Sequence, residues 1–556
     1  MEIPTFIIWL VALGIGFLAY RVSRRSILDE IAGPASKSVL LGSMPDLMLS
    51  EAGLTEFSWQ ERYGDVVKLK GPLNTDRLLI SDPKALHWIL QTSGYRWGKS
   101  SDRKEISRLV GGKGLGWADG DSHNRQRKIM LPGFSAPEAK NLLPVFFSCA
   151  SQMARRWSDI LSGADDQTHI FNIPEWISRA TLDAIGRAAF DYDFGATEDH
   201  ETELGKAYQG MFLKVFGKPS KAVLITLELF RFIPPSVLEF LNEHNPNPRI
   251  AHVRHVAEIA NGVAKRLVKN KSDALLEGKG RSDIMSLLVK ANAGDDVNAQ
   301  LTEEEMLSML RQHLVSTWFS IFVISLIHWL SFSATLTWLL YELVRNPKLQ
   351  SELRAEIRAA EKVAVSRGDS ELSIRDLEGM SLLSATVKET LRFHPVVLHI
   401  YRTTREDDIL PLSTPITTMA GDVLTELPVP KGTRAILSIS AYNRNKTIFG
   451  EDAHTFNPHR WLEPNHIKKS GGSLGPFANL ATFSAGIRAC IGWRFAVIEL
   501  QAFIVELLSN FEFSKTPQID RIRREVAIAV VPTVEGEAEK GNQLPLRVTF
   551  ARKGEE

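Results

Sequence analysis

Apolar residues recur at three-and-four spacing among charged residues along much of the chain. This period is that of a helix with one buried face, and it predicts helices over residues 303–309, 347–363 and 382–393. Short segments that alternate between apolar and polar residues predict strands over residues 67–70, 77–81 and 434–439. The fold class predicted from this pattern is mainly α with a minor β-sheet.

The amino terminus departs from this pattern. Residues 3–20 are apolar or uncharged and are followed by Arg21, Arg24 and Arg25. The run is at the short end of the roughly 17–25 residues that cross a membrane. A cleaved signal peptide is disfavoured, because no basic residue precedes the run and no small-residue cleavage site follows it. We therefore predict an N-terminal transmembrane helix within residues 1–25, a hinge over residues 26–45 and a catalytic domain over residues 46–556. The basic flank places that domain in the cytosol.

Composition narrows the class of protein. The 556 residues are 44% hydrophobic and carry a formal charge of +1, so the chain can bury a large core and has no field that attracts nucleic acid. Cys149 and Cys490 are the two cysteines, which suits a reducing compartment. Cys149 stands among apolar residues and is expected to be a small buried hydrophobe. Cys490 is the candidate for chemistry.

The segment around Cys490 reads Phe483-Ser-Ala-Gly486-Ile-Arg488-Ala-Cys490-Ile-Gly492, before a helical pattern over residues 493–507. A helix that begins after Gly492 directs backbone N–H groups at the sulfur and stabilises a thiolate. Gly486 and Gly492 allow a tight turn and a close approach to a flat macrocycle. Arg488 is placed to reach a haem propionate, and Phe483 to shield the sulfur.

Phe-x-x-Gly-x-Arg-x-Cys-x-Gly resembles the haem-binding loop of the cytochrome P-450 superfamily, in its membrane-anchored, eukaryotic microsomal type, to which fungal members belong. The resemblance implies the cytochrome P-450 fold, haem b (iron protoporphyrin IX) as cofactor and Cys490 as the axial ligand of the iron. An axial thiolate favours cleavage of the O–O bond. The resemblance also implies a monooxygenase, with secondary metabolism as one setting.

Two further motifs resemble the same family. Glu389 and Arg392, in Glu-x-x-Arg, and Arg460, in Pro-x-Arg-Trp, imply a structural triad that locks the protein core beside the haem. Alone, Glu-x-x-Arg is common on solvated helices.

Propionate contacts are implied for Arg402, in Arg-x-x-x-x-Asp with Asp407, and for His123 and Arg127, which share one helix face. Each of these residues taken singly also fits a basic surface. Residues 94–100 end in Gly-Lys-Ser but lack the spacing of a phosphate loop, and we expect a plain loop there.

The central helix of the family usually carries an acidic residue followed by Thr, which relay protons to iron-bound dioxygen. Residues 314–341 contain no Asp, Glu, Lys or Arg, and the register puts Leu330 at the acid and Ser331 at the Thr. Ser331 is thus a candidate proton relay. Three interpretations stay open: a second membrane span, a buried helix with altered chemistry, and a locally wrong translation such as a retained intron, which is slightly favoured. The motifs on both sides of the run argue against a second span.

The leading hypothesis is a monooxygenase of the endoplasmic reticulum membrane, single-pass, with its catalytic domain in the cytosol. It would oxidise a hydrophobic small molecule with electrons from NADPH-cytochrome P-450 reductase and, in addition, cytochrome b5. Peroxide-using or rearranging chemistry is the second hypothesis, and a non-catalytic membrane protein is the third.

Overall fold

The computed structural model describes residues 27–198, 219–276, 321–463, 473–526 and 529–552, together with the single positions Gly16, Thr202 and Ile467. Helices predominate in these ranges. They are α1 Met44–Met48, α2 Leu54–Tyr63, α3 Pro83–His87, α4 Ser101–Gly111, α5 Gly120–Met130, α6 Ala136–Asn141, α7 Leu143–Ser162, α8 Ile173–Phe190, α9 Lys221–Leu229, α10 Pro235–Glu243, α11 Pro248–Leu276, α12 Ile321–Arg345, α13 Pro347–Ser366, α14 Ile374–Gly379, α15 Ser381–Phe393, α16 Ile439–Asn443, α17 Lys446–Phe449 and α18 Trp493–Asn510.

Four small sheets accompany the helices. Their strands are β1 Val66–Gly71, β2 Thr75–Ile80, β3 Trp97–Lys99, β4 Thr168–Asn172, β5 His399–Thr404, β6 Asp408–Thr417, β7 Val423–Val429, β8 Arg434–Ser438, β9 Phe511–Ser514, β10 Ile522–Val526, β11 Val530–Val534 and β12 Pro545–Phe550. The largest sheet has the order β1-β2-β8-β5-β3, and within it β2 and β8 are parallel. The other sheets are β4-β12-β9, β6-β7 and β10-β11. The predicted fold class, mainly helical with a minor sheet, is confirmed.

The predicted elements and the observed ones agree where local signals are strong. Helix α13 begins at Pro347, whose fixed φ suits the first helical position. Helix α15 ends at Phe393 because Pro395 disfavours a helical conformation at the residue before it. The predicted strands correspond to β1, β2 and β8, while the predicted helix over residues 303–309 lies outside the described residues. Residues 94–100 are not a plain loop, because β3 pairs there with β5.

The core lies where the long helices cross. Helix α12 packs along α8, and α18 packs along α7 and α13. Leu336, Leu339 and Leu340 of α12 are buried, and its Trp338 stacks on His394 with ring centroids 4.7 Å apart. From residue 331 onwards α12 is therefore a core helix. The first part of the uncharged run over residues 314–341, residues 314–320, lies outside the described residues.

The predicted N-terminal transmembrane helix also lies outside the described ranges, which begin at Ile27. Among the helices that the structure describes, none combines the length and the apolar character needed to cross a bilayer. The chain that follows, assigned by the sequence to a hinge, contacts the body at several points. Its Leu28, Ile31 and Met44 are buried, and the backbone N–H of Lys68 in β1 donates to the carbonyl of Ala32 at 3.1 Å.

A buried charge network joins α9 and α4 to the largest sheet. The Glu228 carboxylate of α9 accepts hydrogen bonds from Arg77 of β2 and, at 2.6 Å, from Arg434 of β8. Arg434 also donates to Asp102 of α4 at 2.7 Å. Removing one partner of such a network would leave an uncompensated buried charge, so the network fixes these helices over one end of the sheet.

Candidate functional site

Cys490 lies in a loop shaped by two single 3₁₀ turns, Ala481–Phe483 and Gly486–Arg488, immediately before α18. The backbone N–H of Cys490 donates to the carbonyl of Phe483 at 2.8 Å, which closes the loop. Cys490 is accessible to solvent although protein atoms surround its thiol at longer range. We infer from these two facts that a cleft lies beside Cys490.

The two glycines of the loop have different roles. Gly486 has a φ of 63°, and a Cβ there would lie 2.0 Å from the carbonyl oxygen of Leu90, so the position admits no other residue without a backbone shift. Gly492 has an ordinary φ of −93°, and a Cβ there would meet only the ring of Phe134, at 3.7 Å. Residues 491–492 form a turn before α18, as predicted, but the φ of this turn does not require a glycine. The predicted close approach to a macrocycle remains as the reason for a glycine at that position.

Three influences set the pKa of the Cys490 thiol. Burial, the largest, raises the pKa above the ordinary cysteine value, while a hydrogen bond from the Gly492 N–H and the charge of Arg127 act to lower it. The last two groups stabilise a thiolate. Coordination to a metal ion deprotonates a thiol outright, so this sulfur is suited to be a metal ligand. Cys149, by contrast, is fully buried in α7 as predicted, and burial raises its pKa to about 12.

Cationic and imidazole side chains lie together next to the Cys490 loop. We call this set the cationic wall; its members are Lys99, His123, Arg127, Arg402 and Arg488. Arg127 of α5 donates to the carbonyl of Ala489 at 2.7 Å, next to the cysteine. Lys99 and Arg402 stand on the paired strands β3 and β5, directly opposite each other. The structure thus brings four predicted site residues close to one another.

Arg402 forms no ion pair with any residue that the structure describes, and the opposing charge that acts on it is that of Asp119. Its side chain is buried, and one guanidinium nitrogen donates to the carbonyl of Tyr401 at 2.9 Å. Its Nε has no hydrogen-bond partner within the described ranges. Burial, with a smaller contribution from Arg488, lowers the pKa of Arg402 to about 9. Asp407, which the sequence motif associates with Arg402, instead accepts from the backbone N–H of Lys431 at 2.7 Å.

His123 is buried and neutral. Burial is the main reason that its pKa falls to about 3, and the nearby charges of Lys99 and Arg488 lower it further. Its Nδ1 forms a hydrogen bond with the hydroxyl of Tyr95 at 2.8 Å, and the Arg488 guanidinium lies 4.6 Å from the centre of the Tyr95 ring. Tyr95 thus connects two predicted site residues.

Sequence reasoning missed three members of the site: Lys99, Tyr95 and Asp119. The Lys99 ammonium donates to the carbonyls of Leu115, Gly116 and Ala118 at 2.8, 2.6 and 2.8 Å. Asp119 accepts from Arg488 Nε at 3.1 Å. No local signal singles these residues out, because Lys99 belongs to a Gly-Lys-Ser segment and Asp119 has the position of an ordinary helix cap.

The remaining predicted site residues lie further from the cationic wall. The half-buried Phe483 ring contacts that of Phe477 edge-on, with centroids 6.3 Å apart, and its carbonyl holds the Cys490 N–H. Ser331 is half-buried in α12, and its carbonyl accepts a hydrogen bond from the Thr335 hydroxyl at 2.5 Å. Its role as a proton relay stays a prediction.

The structure brings Glu389, Arg392 and Arg460 together in the core. All three side chains have no solvent exposure. Arg392 binds the Glu389 carboxylate through two hydrogen bonds, at 2.7 and 2.8 Å, and Arg460 Nε donates to it at 3.2 Å. The Asn457 backbone N–H and the Trp461 indole complete its partners at 2.8 and 2.9 Å. Burial alone would raise the pKa of Glu389, but the two arginines hold it below the ordinary value.

The donor set fits a haem. The Cys490 thiol lies at the centre, with the Gly492 N–H and the Arg127 charge placed to stabilise its thiolate form. Gly492 follows it, although its φ would admit another residue. The cationic wall has an excess of buried positive charge, and the orphaned Nε of Arg402 is suited to the carboxylates on one edge of a porphyrin.

Comparison with known proteins agrees with this geometry. The family model described as Cytochrome P450 matches residues 34–536 of the chain. The chain belongs to the cytochrome P450 family. It is 31% identical over 505 residues to Cytochrome P450 monooxygenase 91 of Postia placenta, covering 89% of each chain. It is 28% identical over 551 residues to Cytochrome P450 monooxygenase claO of Ampulloclitocybe clavipes, covering 97% of this chain and 96% of the relative.

Family membership fixes the broad chemistry of this cytochrome P450. It is a monooxygenase, hence an oxidoreductase, with haem as its cofactor. The family uses redox partners and hydrophobic substrates. The hypothesis of a non-catalytic membrane protein is therefore not retained.

Proposed function

We propose that this cytochrome P450 inserts one oxygen atom from O₂ into a hydrophobic small-molecule substrate. Electrons come from NADPH through NADPH-cytochrome P-450 reductase, with cytochrome b5 as a second donor. The observation that carries the proposal is Cys490, which is accessible to solvent and flanked by the cationic wall.

Haem, when bound, supplies dioxygen binding and the reductive cleavage of the O–O bond. The residues of the chain provide the setting for that chemistry. Cys490 is the iron ligand, and the Gly492 N–H and Arg127 stabilise its negative charge. Arg402, Arg488 and His123 hold the anionic edge of the porphyrin.

The central helix of this chain lacks the acidic residue that the family usually carries there. Residues 314–341 include no Asp, Glu, Lys or Arg, and the Ser331 hydroxyl, directly or through water, is the candidate that delivers the proton needed for O–O cleavage. Slow proton delivery favours release of peroxide. The missing acidic residue therefore supports a second function, in which the enzyme uses peroxide or rearranges an oxygenated substrate without a reductase.

We also propose that the protein is anchored in the endoplasmic reticulum membrane by residues 1–25, with its catalytic domain in the cytosol. The uncharged run over residues 3–20 and the arginines that follow it support this location. Microsomal fractionation tests it: extraction by alkaline carbonate from the membrane pellet would contradict an integral anchor.

The ligand is tested by the carbon monoxide difference spectrum of the reduced full-length protein. We expect a red-shifted Soret band in the wild type and its loss in Cys490→Ser. The matched control is Cys149→Ala, which removes the other cysteine and should keep the band. A band that persists in Cys490→Ser would overturn the assignment.

Turnover separates the two functions. With reductase and NADPH, we expect product from an apolar substrate and a measurable fraction of the electrons released as hydrogen peroxide. Product formed with added hydrogen peroxide alone, and none with reductase and NADPH, would favour the second function.

A further inference from the structure

Asp119 occupies a helix cap without acting as one. It immediately precedes α5 and has the extended backbone of an N-cap residue, with φ −144° and ψ 159°, yet its side chain forms no capping hydrogen bond. Aspartate at this position ordinarily accepts from a backbone N–H in the first turn and stabilises the start of the helix. The carboxylate is turned elsewhere, and its local benefit to the helix is lost.

Both carboxylate oxygens are engaged by groups of the site instead. Oδ1 accepts from Arg488, through Nε at 3.1 Å and through a second guanidinium nitrogen. Oδ2 accepts from Arg405 at 2.6 Å and from the Lys99 backbone N–H at 3.1 Å. The Asp119 side chain is 3% exposed, so these contacts are formed away from bulk water. Two arginines and β3 are therefore held by one carboxylate.

Asp119 also provides a negative charge next to the cationic wall. Within the part of the chain that the structure describes, Arg488 is the member of the wall that forms an ion pair, and its partner is Asp119. The Asp119 carboxylate holds Arg488 over the ring of Tyr95. It also offsets one positive charge of the cationic wall, next to the residues that would bind the porphyrin carboxylates.

We infer that Asp119 is a positioning residue for the haem, which fixes Arg488 and sets the electrostatic potential at the iron. A buried negative charge favours the ferric state, since that state carries one more positive charge than the ferrous state, and low polarity strengthens the effect. This inference rests on the haem-thiolate site of the proposed function.

The test is the ferric–ferrous midpoint potential of the full-length holoprotein, measured by spectroelectrochemistry. Asp119→Asn keeps the size of the side chain and an equally good N-cap residue while removing the charge. We expect a tenfold shift of the reduction equilibrium toward ferrous haem, which is 59 mV for a one-electron couple. The matched control is Asp121→Asn, in the exposed first turn of the same helix, with a shift below twofold. Equal potentials for the two variants would overturn the inference.

A second variant covers the case in which Asp119→Asn takes up no haem. The Arg405 side chain is 51% exposed, so Arg405→Gln is tolerable for folding. It leaves the Asp119 charge less balanced and is expected to shift the equilibrium the opposite way, toward ferric haem. An unchanged potential in Arg405→Gln would refute the role of Asp119.

The carbon monoxide spectrum of each variant separates this inference from the proposed function. Absence of the red-shifted band in the wild type would refute the thiolate ligand. Red-shifted bands in all variants with unshifted potentials would refute the inference about Asp119 alone.

Discussion

Replacement of Glu389 by glutamine should destabilise the protein without touching the haem cleft. The carboxylate is fully buried and accepts hydrogen bonds from Arg392, Arg460, Asn457 and Trp461. Glutamine keeps one acceptor oxygen, but it presents an amide N–H group to donors and leaves the buried charge of Arg392 without a counter-ion. Breaking a buried pair in this way costs about 3–5 kcal/mol.

Because native stability is only about 5–15 kcal/mol, this loss is large enough to deplete the folded, haem-binding state. We therefore expect Glu389→Gln to lower both the urea midpoint of unfolding and the haem content per chain. The matched control is Glu175→Gln, which removes a carboxylate, 54% exposed, that pairs with Arg179 at 2.7 Å one helical turn away. Its effect should stay within about 0.5 kcal/mol. If both variants unfold at the wild-type midpoint, the structural role assigned to Glu389 is wrong.

Three other predictions concern the loop, a buried histidine and the central helix. Gly486→Ala should lower both the haem content and the stability, because Gly486 has a left-handed φ and lies against the backbone of Leu90. Gly492→Ala should fold normally by circular dichroism, because its φ is ordinary and a Cβ there has space. A loss of haem in that variant would indicate a clash between the new methyl group and the porphyrin. Burial lowers the pKa of His394 to about 4, so the unfolded state binds its proton first and stability must fall as the pH drops from 6.5 toward 4. His394→Gln keeps a hydrogen-bond donor for Glu342, so its urea midpoint of unfolding should fall less between pH 6.5 and pH 4 than that of the wild type. An equally steep fall would show that His394 is not the group responsible. Ser331→Ala should increase the hydrogen peroxide released per NADPH oxidised, and an unchanged ratio would exclude Ser331 from proton delivery.

Motifs that fix local geometry could be predicted from the sequence. The Cys490 loop is specified within ten residues, because the turn, the ligand and the following helix are neighbours in the chain. Helices α13 and α15 were predictable for a similar reason, since proline sets a boundary of each. The contact of Glu389 with Arg460 came from the family resemblance alone, because 71 residues separate the two.

What the sequence could not predict depends on contacts between distant segments. Asp119 and Arg488 are 369 residues apart, and an aspartate before a helix ordinarily caps it. The different roles of Gly486 and Gly492 also depend on distant contacts, because a Cβ at Gly486 would meet the backbone of Leu90. Strand β3 was missed because three residues carry too little periodicity to predict a strand.

The contact between Gly486 and Leu90 has a consequence for biosynthesis. The ligand loop belongs to the last fifth of the chain, yet it docks against a segment synthesised about 400 residues earlier, so closely that no Cβ fits between them. The cationic wall likewise joins residues from β3, α5 and β5 to Arg488. Nearly the entire chain must therefore be synthesised before haem can bind. Until then, the segment around Leu90 must stay accessible so that the Cys490 loop can pack against it.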